Sequence, residues 1–453
     1  MRIVVIGVGH VGLVSALTLC RLGHDVVGLD DDVAKIAELR HGRLPFFEKG
    51  LDQLFEEGCT SGRLQFSEGP SEAIPGADVA FICVGTPGRP TGEPNLVAVE
   101  NAADLVAKWA TRDMVVVEKS TVPVQTAERI QMMLGRRSAQ RFAVASNPEF
   151  LREGCAVEDS LFPSRILVGT NSGEAHEIMR RIYRPMIESG ARYFATDTAT
   201  AELAKHACNA FLALKVSFVN ALGRVCEAAG GDVVAVADIM GADPRIGRDF
   251  LDAGVGFGGS CFPKDLAAFR AQSLRLGYRF GLLDEVVRIN DEAVDGIVEK
   301  VRAALWNLEE KRVVLLGLTF KPGTDDTRES PALRVARSLI EAGARVTGCD
   351  PKASAGALDG MEDLAVTRDP YAAAAGAHCL VVCTAWPEYA ALDLARLREL
   401  MALPIVVDGR NVFDPASVAE AGFTYLPTGR PAHGPGPPPV GRSSPGAPHV
   451  RDL

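Results

Sequence analysis

No stretch of the 453-residue sequence reaches the run of about 18 consecutive apolar residues that a membrane-spanning helix needs, so no membrane span is expected. The ten cysteines contain no CxxC pair. The nearest two are Cys379 and Cys383, and no zinc-type arrangement is present, so no resident metal is expected. The scattered thiols read as reduced core residues of a cytoplasmic protein. Basic residues are the minority, 48 Lys and Arg against 58 Asp and Glu, giving a net charge of −10. That balance argues against nucleic acid or an anionic membrane as a partner. The N-terminus "MRIVVIGVGHVG" is apolar after one Arg but lacks a small-residue cleavage site, so it reads as a buried strand entering a glycine turn rather than as a signal peptide.

What is present is ordinary for a soluble globular protein: 47% hydrophobic and 23% charged residues. At about 150 residues per domain the length suggests roughly three domains. Strand-like runs alternate with helical patterns from the start ("RIVVIG", a helix from about Val11 to Leu22, "DVVGLD", "DVAFICVGTP", "MVVVEKSTVP"), which indicates βαβ units and a parallel sheet to about residue 195. Next comes "AELAKHACNAFLALKVSFVNALGRVCEAA", which has no Pro and no Gly before Gly223. It reads as a helix of about 29 residues spanning ~43 Å, able to connect domains and to offer a dimer face. "RVVLLGLTF", "SPALRVARSLIEAGA" and "RVTGCDP" then repeat the opening order of strand, glycine turn, helix and strand ending in an acid. The expected fold is α/β: a Rossmann-like doubly wound domain over 1–195, a central helix and helical dimerisation region over 196–310, a second Rossmann-like domain over 311–427, and a disordered Pro/Gly-rich tail over 428–453.

"GVGHVG" places Gly7, Gly9, His10, Val11 and Gly12 in a G-x-G-x-x-G turn that follows a strand and opens a helix. The glycines permit a tight turn and close approach of a pyrophosphate, which the helix N-terminus favours. Asp30 closes the second strand, where an acid can bond both ribose hydroxyls. With Asp31 and Asp32 beside it, a 2′-phosphate would be repelled, so the cofactor expected is NAD. Lys35 either pairs with the adenosine side or is a solvated helix lysine. "VGTP" (Val84, Gly85, Thr86, Pro87) and "KSTVP" (with Ser120 and Thr121) end later strands at the same edge, where ligands of open α/β sheets bind.

Lys205 and Asn209 are four apart on the long helix, hence on one face. They are either a pair aimed at a developing oxyanion or a solvent-facing pair. In "GVGFGGSCFPKD" four glycines precede Cys261, with Lys264 and Asp265 following. The thiol is either a nucleophile, its pKa lowered by the nearby cation and its protons managed by the carboxylate, or an inert buried cysteine. A cysteine beside an NAD site suggests covalent oxidation through a thiohemiacetal and a thioester. In "GLTFKPGTDDTRESP" the second glycine turn has lost G-x-G-x-x-G and carries Lys321 and Arg328, which suit a phosphorylated ligand or are plain surface charges.

In order, "GVGHVG", "VGTP", "EKSTVP", "NPEFLREG", "AELAKHACNAF", "DPRIG", "GFGGSCFPKD", "FKPGTDDTRESP" and "DGRN" resemble the UDP-glucose/GDP-mannose dehydrogenase family over about residues 1–415. The resemblance implies four-electron oxidation of a nucleotide-sugar C6 alcohol to the carboxylate with NAD, in a homodimer or larger homo-oligomer. UDP-glucose is the favoured substrate, with GDP-mannose, a UDP-N-acetyl sugar or a two-electron oxidation as alternatives. It implies that Cys261 is the nucleophile, that Asp265, Thr121 and Glu149 manage water and protons, and that Lys205 and Asn209 stabilise oxyanions. It places Glu149, Phe150, Leu151, Arg152 and Glu153 along the sugar, with Glu153, Cys261 and Lys264 also near the cofactor and Arg328 approaching it. Arg245 would reach the substrate across a dimer interface. Phe250, Leu251, Gly254, Gly256, Phe257 and Gly258 would wrap the nucleotide sugar, and Phe320, Lys321 and Arg410 would contact it from the C-terminal domain.

Overall fold

The opening strand is apolar at four consecutive positions, Ile3 to Ile6, because both of its faces are covered. In the computed structural model, which describes residues 1–353, 358, 361 and 364–434, Ile3 and Val5 join one core layer and Val4 and Ile6 the other. The chain divides into two compact units. The first comprises residues 1–214, 260–285 and 323–325; the second comprises 215–259, 286–322 and the chain from 326 onward.

The first sheet contains β1 (Arg2–Ile6), β2 (Asp25–Leu29), β3 (Leu64–Ser67), β4 (Val79–Ile82), β5 (Met114–Glu118), β6 (Phe142–Ser146), β7 (Arg165–Thr170) and β8 (Arg192–Thr196), in the order β3-β2-β1-β4-β5-β6-β7-β8. Its helices are α1 (His10–Arg21), α2 (Val33–Arg40), α3 (Leu51–Thr60), α4 (Pro70–Ala73), α5 (Val97–Trp109), α6 (Thr126–Arg137), α7 (Ala156–Leu161), α8 (Gly173–Ile182) and α9 (Arg184–Glu188). Core residues Leu13, Leu17, Leu54 and Phe55 lie in the layer with Ile3 and Val5, while Val99, Ala103, Val106 and Ile130 lie in the layer with Val4 and Ile6. The sheet is doubly wound, as expected. One pairing departs from the all-parallel expectation: β6 and β7 are antiparallel, with Ala145 opposite Thr170. An antiparallel neighbour starts at the edge where the preceding strand ends, so the connection over 147–164, which holds "NPEFLREG", stays at the C-terminal edge of β6.

Helix α10 (Thr198–Ala229) is 32 residues long. It starts earlier than apolar spacing suggests because Asp197 caps it, accepting from Thr200 N and Thr200 Oγ1, both at 2.8 Å. It is followed by α11 (Val233–Gly241), α12 (Phe262–Arg275) and α13 (Gly281–Leu305). The second sheet contains β9 (Arg312–Leu316), β10 (Arg345–Cys349), β11 (Ala365–Thr367), β12 (Cys379–Val382), β13 (Ile405–Asp408) and β14 (Thr424–Pro427). Its order is β11-β10-β9-β12-β13-β14, the arrangement of the first six strands of the first sheet. Helices α14 (Pro331–Glu341), α15 (Pro370–Ala374), α16 (Pro387–Ala390), α17 (Leu394–Leu400) and α18 (Pro415–Glu420) accompany it. Of the tail expected from 428, residues 428–434 are described: Gly429 N donates to Glu227 Oε1 at 2.6 Å, and Arg430 pairs with Asp232 at 2.9 Å. The rest, 435–453, lies outside the described residues. Among the described residues no helix is long and apolar enough to cross a membrane.

Candidate active site

The glycine turn after β1 is built for close approach. A Cβ on Gly12 would stand 1.7 Å from Gly7 O, whereas one on Gly9 would meet nothing within 4 Å. Gly9 is the N-cap of α1 and offers no capping side chain, so the first-turn amides, those of His10 and Val11 included, are left to a ligand. At the end of β2, Asp30 accepts from Val8 N at 2.8 Å, from Asp32 N at 3.0 Å and from Lys35 Nζ at 3.0 Å. Burial pushes its carboxyl up, but these bonds outweigh burial and hold it below the ordinary carboxylate value. Lys35 therefore sits on Asp30 itself. Asp30 is 8% exposed and lies where the second strand meets this turn. An open Gly9, a barred Gly12, an uncapped helix start and a strand-end carboxylate fit a dinucleotide. The strand-end loops after β4 and β5 are tied together: Ser120 Oγ donates to Val84 O at 2.8 Å and Thr86 Oγ1 to Thr121 O at 2.9 Å. Gly85, between Val84 and the buried Thr86, leaves open space where a Cβ would be, and Pro87 after them is exposed.

Within the same unit lies a buried charged cluster. Cys261 is the N-cap of α12, with no side-chain capping bond, and Pro263 sits in the first turn. Its Sγ is 3.6 Å from Ser260 Oγ, which donates to Glu153 Oε1 at 2.8 Å. Lys205, 4% exposed, donates to Glu149 O at 2.6 Å and to Glu149 Oε1 at 2.9 Å, and its ammonium lies 5.3 Å from the Phe150 ring centroid. Burial works against the charge on Lys205, yet Glu149, Asp265 and Cys261 hold its pKa above the usual lysine value. Asn209 Nδ2 donates to Asp265 Oδ2 at 2.6 Å, and Lys264 Nζ donates to Asp265 Oδ1 at 2.7 Å. Burial raises the Asp265 carboxyl, but Lys264 and Lys205 overcome it and keep the group ionised.

The thiol differs from the reading based on sequence. Burial, followed by the Glu149 and Asp265 carboxylates, pushes Cys261 up to about 11, with Lys205 the opposing cation. Lys264 was expected to lower the thiol pKa; its ammonium instead is engaged by Asp265 and reaches Thr86 Oγ1 at 3.5 Å. At neutral pH Cys261 is a thiol.

The loop carrying Glu149 to Gly154 is pinned at several points. Leu151 N donates to Glu149 Oε2 at 2.6 Å, Arg152 forks onto Asp159 at 2.9 and 2.7 Å, and the Arg165 guanidinium lies 3.8 Å from the Phe150 ring centroid. The remaining candidates belong to the second unit. Leu251 is buried and Phe250 has a φ of +64°. Gly254 N donates to Asn220 Oδ1 at 2.7 Å, and Asn290 brackets Phe257, accepting from its N–H at 2.7 Å and donating to its carbonyl at 3.1 Å. A Cβ on Gly258 would stand 2.2 Å from Glu329 O, so close backbone packing accounts for this glycine, and Gly256 has a φ of +111°. Arg410 is partly buried and bridges Cys383 O at 2.9 Å and Gly256 O at 3.1 Å. Lys321 Nζ lies 5.3 Å from the Phe320 ring centroid. Arg245 and Arg328 fork onto their own neighbours, Asp243 and Asp326.

Three consecutive pieces of the chain match models of one family: its NAD binding domain over residues 1–187, its central domain over 199–292 and its UDP binding domain over 314–415. The chain belongs to the UDP-glucose/GDP-mannose dehydrogenase family. It is 44% identical over 436 residues to a UDP-glucose 6-dehydrogenase of Rhizobium meliloti (strain 1021), covering 95% of this chain and 100% of that one. It is 40% identical to UDP-glucose 6-dehydrogenase TuaD of Bacillus subtilis (strain 168), covering 95% and 94%. Among solved structures, a UDP-glucose dehydrogenase from the hyperthermophilic archaeon Pyrobaculum islandicum superposes with a TM-score of 0.88 at 38% identity, covering 94% of this chain and 96% of that one.

Sequence reasoning singled out neither Ser260 nor a buried polar layer in the same unit. Glu118 is 1% exposed, and burial and Glu202 push its carboxyl well above the ordinary value. Glu202 accepts from Gln125 N at 2.7 Å and Ala127 N at 2.8 Å, and burial raises it to about 7. His206 Nε2 is 2.9 Å from Val122 O. Glu202, Lys205, His206 and Asn209 share the spacing of a helix face, a signal present in the sequence but read only for the last lysine–amide pair. Among the described residues no group of three or more His, Cys, Asp or Glu is placed to hold a metal ion.

Proposed function

We propose that the chain oxidises the C6 alcohol of UDP-glucose to the carboxylate in two successive two-electron steps, with NAD as the oxidant. The observation that carries this reading is the buried assembly of Cys261, Lys205, Asn209, Asp265 and Glu149 within one unit. NAD supplies a hydride acceptor for each step. Lys205, a tetrahedral ammonium with two donors on Glu149, has a third to offer the C6 oxygen, and Asn209 has its second amide hydrogen. Cys261 Sγ adds to the carbon of the first-formed aldehyde, and the thiol proton ends on the former carbonyl oxygen. This addition needs no standing thiolate, consistent with a pKa of about 11. Loss of the second hydride from that carbon, with its hydroxyl proton passing to the Asp265 carboxylate and on to solvent, leaves a thioester on Cys261. Water then adds, a proton passes to the ionised Asp265 or Glu149, the C–S bond breaks and the thiol is restored.

Glu149 to Glu153 lie along the sugar in this reading. Phe250 to Gly258, Phe320, Lys321 and Arg410 hold the nucleotide, Arg245 reaches it from a second copy, and Arg328 approaches the cofactor. The second copy docks on α10, where Phe211, Phe218 and Val225, seven apart, are 60%, 49% and 62% exposed. All ten cysteines are free, and we place the protein in the cytoplasm. The deciding experiment counts NADH per sugar and identifies the product across UDP-glucose, UDP-N-acetyl sugars and GDP-mannose. The expected result is two NADH and UDP-glucuronate from UDP-glucose, and no acid from Cys261→Ser. One NADH per sugar with Cys261→Ser fully active would overturn the mechanism, and turnover of GDP-mannose alone would overturn the substrate.

A further inference from the structure

Glu48 takes no part in the chemistry above, yet it touches both the glycine turn and the loop of Glu149 and Glu153. It lies between α2 and α3 and is 4% exposed. Its Oε2 accepts from Gly154 N at 2.7 Å and its Oε1 from Ala156 N at 2.9 Å. These amides close the site loop at the start of α7, whose N-cap, Cys155, makes no side-chain capping bond. The same Oε2 is 3.1 Å from His10 Nε2. His10 is the first residue of α1, and its ring stacks on Phe46 with centroids 4.4 Å apart at 23°. A single short segment, Phe46 to Glu48, thus stacks a ring on the glycine turn's histidine, sets a carboxylate beside that histidine, and binds the site loop through the same carboxylate. From Gly154 the chain continues back to Glu153, which accepts from Ser260 beside Cys261 at 2.8 Å.

We propose that Glu48 is a positioning residue that couples occupancy of the glycine turn to the conformation of the Glu149–Gly154 loop, with His10 as the link. The inference rests on reading that turn as the NAD site and that loop as the sugar side. A buried carboxylate is stable only while its donors stay in place. Oε2 accepts from Gly154 N and lies 3.1 Å from His10 Nε2, close enough to meet but without the alignment of a hydrogen bond, so a ligand that sets the first turn of α1 sets whether the His10 ring can turn to donate to it. It thereby fixes the oxygen on which Gly154 hangs. By linkage the sugar must hold the turn as strongly as the cofactor holds the loop.

The test is a fluorescence titration of the full chain with NADH, with and without saturating UDP-glucose, a pair that cannot react with each other. The wild type is expected to bind NADH at least about fivefold more tightly with the sugar present, and UDP-glucose to gain the same factor from NADH. His10→Ala keeps both backbone bonds to Glu48 and removes only the link, so it separates coupling from folding. It and Glu48→Gln should each bring the ratio below about twofold, and the double variant no lower. A wild-type ratio of one overturns the proposal. So does a variant that weakens both ligands equally while keeping the wild-type ratio, for Glu48 would then be only a loop cap. A wild-type chain that binds no NADH at all overturns the cofactor reading instead.

Discussion

At the scale of single residues, Cys261 is a thiol at the head of α12. Burial first, and then three carboxylates set against one ammonium, keep its proton on at neutral pH. Alkylation by iodoacetamide, followed by peptide mass spectrometry without ligands, should therefore be slower at Cys261 near pH 7 than at an ordinary free thiol of pKa about 8.5. The rate should climb about tenfold per pH unit to at least pH 9.5; a plateau below pH 8 would contradict the environment described. Cys261, Lys205 and Asn209 could be singled out as candidates because a glycine run and an i,i+4 spacing are local patterns. The fate of Lys264 was not, since proximity along the chain does not say which neighbour an ammonium serves. Glu48 was beyond sequence reasoning altogether: its partners Gly154 and Ala156 are 106 and 108 residues away, and no spacing relates them.

At the scale of elements, α10 organises its neighbours by presenting polar groups on a buried face. Glu202 caps the start of α6 from the side, taking the N–H groups of Gln125 and Ala127. Burial raises its folded-state pKa to about 7, above the unfolded value near 4.5. The folded protein thus holds this proton more tightly, so the group costs nothing below about pH 4.5 and progressively more as pH rises from there through 7. In thermal or urea unfolding, Glu202→Gln should abolish about 1 kcal/mol of the stability otherwise lost between pH 6 and 8. An unchanged pH difference would show that Glu202 does not titrate there. The helix itself was plain from its long stretch without Pro or Gly. Its true start needed Asp197, a cap that apolar spacing does not register. The reversed β7 was equally hidden, because strand direction leaves no mark on a run such as "SRILVG".

At the scale of the whole molecule, the echo of strand, turn, helix and acid in the sequence corresponds to two sheets of matching order, legible because turn glycines and strand-end acids recur. The oligomer is the prediction that belongs here. Light scattering on the purified chain should give a dimer or larger, and Phe211→Asp with Phe218→Asp should reduce it to single chains; a monomeric wild type would refute the docking on α10. The matching acids also tell the two sheets apart. Asp30 is bonded by two backbone amides and one lysine, a mobile partner that can turn aside. Its counterpart Asp350 is fully buried and accepts from Leu318 N, Thr319 N, Thr319 Oγ1, Trp386 Nε1, Lys352 N and Ala353 N. Grafting glycines into the second turn would therefore not convert that sheet into a second dinucleotide reader. Its acid is already spoken for as a structural keystone, and freeing it would mean dismantling the turn that the graft was meant to exploit.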